Sequence, residues 1–173
     1  LYIRHQAATN NPSFKAIWEG FYKGVAACNL CVDGMEGLDE STEKNELLGE
    51  VYALRALYYF YLTRLYGDIP LILEPVTASS SLLYPERSSQ LAVFESIVND
   101  LKLAESSGLP ATSVAGRVSL GMVKSLLADV YLYMAGYPLN KGKEYYQLAY
   151  QKAKEVLDNS YCISPNNPSY NAG

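Results

Sequence analysis

From Phe14 onward, apolar residues return every third or fourth position, through Ile17, Trp18, Phe21, Tyr22, Val25 and Cys28. That is the spacing of a helix with one buried face. Asn11-Pro12 supplies a cap and a first-turn proline, and the glycine-bearing Asp33-Gly34-Met35-Glu36-Gly37 supplies the stop, so a helix is expected over about 12–32. A second is expected over 42–66. It opens at Ser41-Thr42 with Glu43 and Glu46 in its first turns, and its stripe runs through Leu47, Leu48, Val51, Leu54, Tyr58, Tyr61, Leu62 and Leu65. Gly67 is placed to take a left-handed cap, and Pro70 forbids continuation. Arg64 and Asp68 flank this helix end, where capping accounts for them.

Three more helices follow by the same periodicity. One over 88–107 carries Phe94, Ile97, Val98, Leu101 and Ala104 and stops at Gly108-Leu109-Pro110. One over 119–135 carries Leu120, Val123, Leu127, Val130 and Met134 and stops at Gly136-Tyr137-Pro138. The last, over 142–159, uses Tyr146, Ala149, Tyr150, Ala153, Val156 and Leu157. No stretch alternates as a β-hairpin would. Residues 68–87, including Thr77-Ala78-Ser79-Ser80-Ser81, form a long connection, and loops of that length inside compact domains are often functional.

The second helix repeats. Shifted by 72 residues, Gly49, Val51, Leu54, Ala56, Tyr59 and Tyr61 fall on Gly121, Val123, Leu126, Ala128, Tyr131 and Tyr133. In each copy a further helix follows after a loop. Such self-similarity marks stacked helical hairpins that bury their apolar faces against one another. The small and aromatic residues at these offsets resemble a tetratricopeptide unit with lengthened loops. The fold class is therefore all-α: two degenerate tetratricopeptide-like hairpins after one extra helix, stacked as a right-handed superhelix. A helix in the middle of such a stack is covered on several sides, so five rings between Tyr58 and Tyr66 need no ligand, and the tyrosine hydroxyls suit either a half-wet boundary between helices or the surface of a partner.

Composition narrows the function. The 173 residues suffice for one domain that buries roughly 70% of its unfolded surface, and 49% apolar with 18% charged residues is a globular balance. A net charge of −4 without a basic cluster argues against nucleic acid. No apolar run reaches the roughly 18 residues of a membrane span. The start at Leu1 and the irregular 164–173 tail read as cut ends, so a piece of a longer chain is expected. Cys28, Cys31 and Cys162, with His5 the sole histidine, lack the partners of a zinc or redox site; Cys28 and Cys31 are expected as small buried or semi-buried side chains. With no nucleophile elbow, phosphate loop or metal cluster, neither a cofactor nor catalysis is expected.

Residues 50–72, with Leu54-Arg55-Ala56-Leu57-Tyr58-Tyr59-Phe60-Tyr61-Leu62 and Arg64-Leu65-Tyr66-Gly67-Asp68-Ile69-Pro70-Leu71, resemble the N-terminal region of the SusD/RagB family. Further matches keep the family order: Trp18 and Tyr22, Arg87-Ser88, Phe94 to Leu101, Gly116-Arg117-Val118-Ser119 before Ser125–Met134, and Tyr145-Tyr146 through Val156 to Tyr161. The resemblance covers nearly the whole chain and about the first third of a family member. It implies a non-enzymatic surface lipoprotein of the Bacteroidetes outer membrane. Such a protein binds oligosaccharides or other nutrients and sits on a TonB-dependent SusC-like transporter, with these helices as scaffold. A generic tetratricopeptide-like adaptor that binds a peptide is the alternative.

Tyr84, Glu86 and Arg87, late in the long connection, combine a ring with charged hydrogen-bonding groups, which suits a sugar. The plain alternative is a solvated loop in which Arg87 pairs with a nearby carboxylate. Arg55 and Asp129 interrupt apolar runs and are expected to be at least partly buried, each with a partner. Tyr58 and Tyr61, like Gly67, are assigned structural roles, with Tyr58, Leu62 and Val130 turned to the interior.

Overall fold

The computed structural model describes residues 12–77, 81–113 and 116–159; His5, Asn11, Cys162 and the 164–173 tail lie outside them. Among the described residues five helices follow one another: α1 (Pro12–Met35), α2 (Thr42–Tyr66), α3 (Gln90–Ser106), α4 (Leu120–Ala135) and α5 (Lys143–Asp158), with a 3-10 turn at Ser81–Leu83. Among the described residues the only extended pairing is an antiparallel bridge between Ile69 and Ser88, with N···O distances of 3.2 and 2.9 Å.

Serine caps open three of the helices. Ser41 Oγ accepts from the Lys44 amide at 3.1 Å, Ser89 Oγ from Ala92 at 3.3 Å and Ser119 Oγ from Met122 at 3.3 Å. Each answers one of the donors that a helix start leaves without a backbone partner. α3 begins later than its periodicity predicts because Ser88 is engaged by Ile69, and the cap passes to Ser89. At the end of α2, Gly67 has the expected positive φ of 74°. Its ψ of −127° puts it in the mirror-extended region rather than the left-handed helical one, a conformation open to glycine.

α1 packs on α2, α2 on α3, α3 on α4 and α4 on α5, and α2 also meets α4. The hairpins α2/α3 and α4/α5 are the two copies of the repeat. The core holds Tyr59, Phe60, Leu62, Phe94, Ile97, Leu101, Leu127, Val130 and Met134, all buried. Because α2 is flanked by three helices, its rings find partners on several sides. Phe60 meets Phe94 and Tyr133 edge-on at 6.0 and 6.1 Å, Tyr61 stacks on Phe21 at 5.7 Å, and Tyr66 meets Trp18 edge-on at 5.0 Å. Tyr58 is half-buried over Gly24, while Leu62 and Val130 are fully buried. Gly49 lets the start of α2 approach the end of α3, since an added Cβ would stand 2.7 Å from Ser107 Cβ.

Two expectations are corrected. Asp129 is exposed, with no hydrogen bond or ion pair to the described residues. α4 is covered by α3, α5 and the edge of α2, so Asp129 stays on an open side beside exposed Leu132. Cys31 is likewise exposed, because α1 is one of the two end helices of the stack and packs on no helix but α2; Cys28 is buried, and burial pushes its thiol up to about 11.

Candidate functional site

The long connection after α2 is not structureless, for side chains strap its first half down. Tyr22 Oη donates to Pro70 O at 2.7 Å, and Asn29 Nδ2 donates to Ile72 O at 2.9 Å and Glu74 O at 3.2 Å. Tyr59 Oη donates to Ile72 O and accepts from Ile72 N. Arg55 Nη1 donates to Leu73 O at 3.2 Å and to Asn29 Oδ1 at 2.9 Å. These bonds take the place of a strand partner for an otherwise unpaired backbone.

Beneath the strap, Arg55 is 5% exposed and lies along Asp100, with Nε and Nη2 each 2.8 Å from a carboxylate oxygen. Burial works against the charged guanidinium, but the Asp100 hydrogen bonds and charge outweigh it and hold Arg55 above its ordinary value. Burial also pushes Tyr59 up to about 12, so it stays a neutral donor. No buried side-chain polar atom among the described residues lacks a partner.

The second half of the connection is presented to solvent. Tyr84 is 93% exposed, and Glu86 and Arg87 are exposed with no hydrogen bond or ion pair to the described residues. The Ile69–Ser88 bridge, with Gln90 Nε2 donating to Thr63 O at 2.9 Å, pins the segment to the junction where α2 ends and α3 begins. α4 finishes at the same end of the stack, because Arg64, in the last turn of α2, lies against the Tyr133 ring. The α4–α5 connection therefore displays Tyr137, 87% exposed, on the same side. Pattern reading marked Gly136-Tyr137-Pro138 only as a helix stop. Antiparallel packing brings the two ends of the 68–87 connection and 136–142 to one end, where the Tyr137 ring is left exposed.

This end offers the exposed Tyr137 ring and the guanidiniums of Arg64 and Arg87 free of carboxylates, with the exposed Tyr84 ring three residues before Arg87, a set that suits a flat polyhydroxylated ligand. Among the described residues no group of three histidine, cysteine or acidic side chains is placed to hold a metal ion, and no helix is long and apolar enough to cross a membrane. A shallow groove of about 400 Å³ opens between α4 and α5, lined by Asp129, Leu132, Tyr146, Ala149 and Tyr150.

A family model described as SusD-like, "starch-binding associating with outer membrane", matches residues 2–132. A SusD-like protein of Bacteroides ovatus is 28% identical over 165 residues, which cover 92% of this chain and 30% of that protein. The crystal structure of a SusD superfamily protein from Parabacteroides distasonis matches with a TM-score of 0.80 and 39% identity, covering 84% of this chain and 31% of that one. A crystal structure described as being with xylogluco-oligosaccharide matches with a TM-score of 0.77 and 29% identity, over 90% of this chain and 31% of that one. The chain thus spans about 30% of the length of the relatives it matches.

Proposed function

Since the chain belongs to the SusD/RagB family, we propose that it is the helical scaffold portion of a nutrient-binding lipoprotein on the outer-membrane surface. In this reading the protein takes an oligosaccharide, performs no catalysis on it, and delivers it to a TonB-dependent SusC-like transporter. The observation that carries the reading is the exposure of two rings on the connections that follow α2 and α4, Tyr84 and Tyr137, with Arg87 three residues after the first ring and without a carboxylate partner among the described residues. A sugar lays its C–H face on an aromatic ring and its hydroxyls on charged neighbours, and rings held on loops over rigid helices serve that purpose. The xylogluco-oligosaccharide relative supports the ligand class.

A glycan array on the chain, followed by calorimetry on any hit, tests it. Tyr84→Ala and Tyr137→Ala should weaken binding while leaving the unfolding midpoint in place. Unchanged affinity in both variants, or no glycan bound at all, would remove the assignment.

A further inference from the structure

The described residues include four arginines, and they differ in what holds them. Arg55 lays its guanidinium along the carboxylate of Asp100, and Arg117 donates its Nε to both carboxylate oxygens of Glu50. Arg87 stands in solvent. Arg64 is held by rings: its Cζ lies 4.7 Å from the Phe60 ring centre and 5.5 Å from that of Tyr133. It is exposed and makes no hydrogen bond or ion pair with the described residues. Asp68, one turn further on, has its Oδ1 engaged by the Gln90 amide at 2.9 Å.

The helix dipole favours a cation in the last turn of α2, but a lysine reaching into water would meet that need. A guanidinium supported on aromatic surface has its orientation restrained while its N–H edge remains available, and that edge is the fork that meets a planar oxyanion through two parallel hydrogen bonds. The site is therefore preorganised for a carboxylate or sulfate that the described chain does not itself supply. One turn beyond Tyr133 stands the exposed ring of Tyr137, and Arg87 adds a second unpaired guanidinium at the same end.

We infer that Arg64 is an anion-recognition residue and that the ligand at this end is an acidic oligosaccharide, one carrying uronate or sulfate groups. The inference rests on the glycan-binding reading above and narrows it. An acidic peptide shares the charge, but the exposed Tyr84 and Tyr137 rings favour a ligand with flat C–H faces.

The test is an NMR titration of the 173-residue chain that follows the Arg64 Nε–Hε resonance. The probes are a galacturonate trisaccharide, a neutral galactose trisaccharide and a hexaglutamate peptide. The uronate should move Arg64, and its affinity should fall as salt rises. Arg64→Lys, which keeps the charge and loses the fork, should weaken uronate binding roughly tenfold and neutral binding by much less. An unmoved Arg64 with the uronate overturns the inference; neutral binding in that case leaves the glycan reading standing, and no binding of either sugar removes both. A response to hexaglutamate and not to the uronate overturns it in favour of a peptide-binding adaptor.

Discussion

Tyr59 Oη answers both backbone polar groups of Ile72, donating to its carbonyl oxygen at 2.7 Å and accepting from its amide at 2.8 Å. One phenol thereby does for Ile72 what a neighbouring strand does in a sheet. Tyr59→Phe keeps the buried ring and leaves the Ile72 amide without this acceptor. A loss of about 1–3 kcal/mol is expected by urea denaturation, the range for stranding a buried polar group. Hydrogen exchange at the Ile72 amide should quicken beyond what the global loss explains. Unaltered exchange there would show that the strap does not depend on Tyr59.

The strap shares its foundation with Arg55 and Asp100. Arg55→Met leaves the Asp100 carboxylate, 2% exposed, without its main partner, and losing one member of a buried pair costs about 3–5 kcal/mol. Replacing both, as Arg55→Met with Asp100→Leu, removes the stranded charge and should recover part of that loss. A double-mutant cycle in urea checks it. A double variant as unstable as the sum of the singles would mean the pair is not energetically coupled.

Two helical glycines separate packing from propensity. At Gly49 an added Cβ would stand 2.7 Å from Ser107 Cβ and 3.2 Å from Leu109 Cγ, whereas at Gly20 nothing lies within 4 Å. Gly20→Ala should stabilise by up to about 1 kcal/mol through helix propensity. Gly49→Ala should destabilise by about 1–3 kcal/mol through overpacking. Thermal unfolding of the pair reads both signs at once, and a stabilised Gly49→Ala would show that the α2–α3 approach is not tight.

The helices were legible because each depends on local periodicity and on caps within a few residues, and the repeat between Gly49–Tyr61 and Gly121–Tyr133 announced the stacking. The partners were not. Arg55 was expected to need a counterion, but nothing in its neighbourhood points to Asp100, 45 residues on, or to Asn29 on α1. Asp129 looked equivalent because it too interrupts an apolar run, yet whether a side of a helix is buried depends on which helices reach it. The long connection could be read only as a loop for the same reason: its backbone is answered by side chains from α1 and α2, which no reading of its own residues reveals. Tyr84 was picked out by its company, whereas Tyr137 acquires interest only once packing sets the ends of α2 and α4 side by side and leaves its ring exposed.

The last prediction concerns acid. Lys124 Nζ lies 2.6 Å from Glu155 Oε2, and this hydrogen bond holds the Glu155 carboxyl below its ordinary range, with Lys152 at 3.2 Å adding to it. A carboxyl depressed in the folded state contributes stability that is fully present above its unfolded value, about 4.3, and is lost as pH falls through the lower folded value. Glu155 ties α5 to α4, and Lys152 on α5 reaches Glu105 on α3 at 2.7 Å, so its protonation loosens the outer hairpin first. Glu155→Gln should therefore be less stable than the parent at pH 6, and the two urea midpoints should converge as pH approaches 3. Added salt should narrow the gap at pH 6, because Glu155 is partly exposed and screening weakens the pair. A gap that stays constant from pH 6 to pH 3 would assign the effect of the substitution to packing and not to the charge.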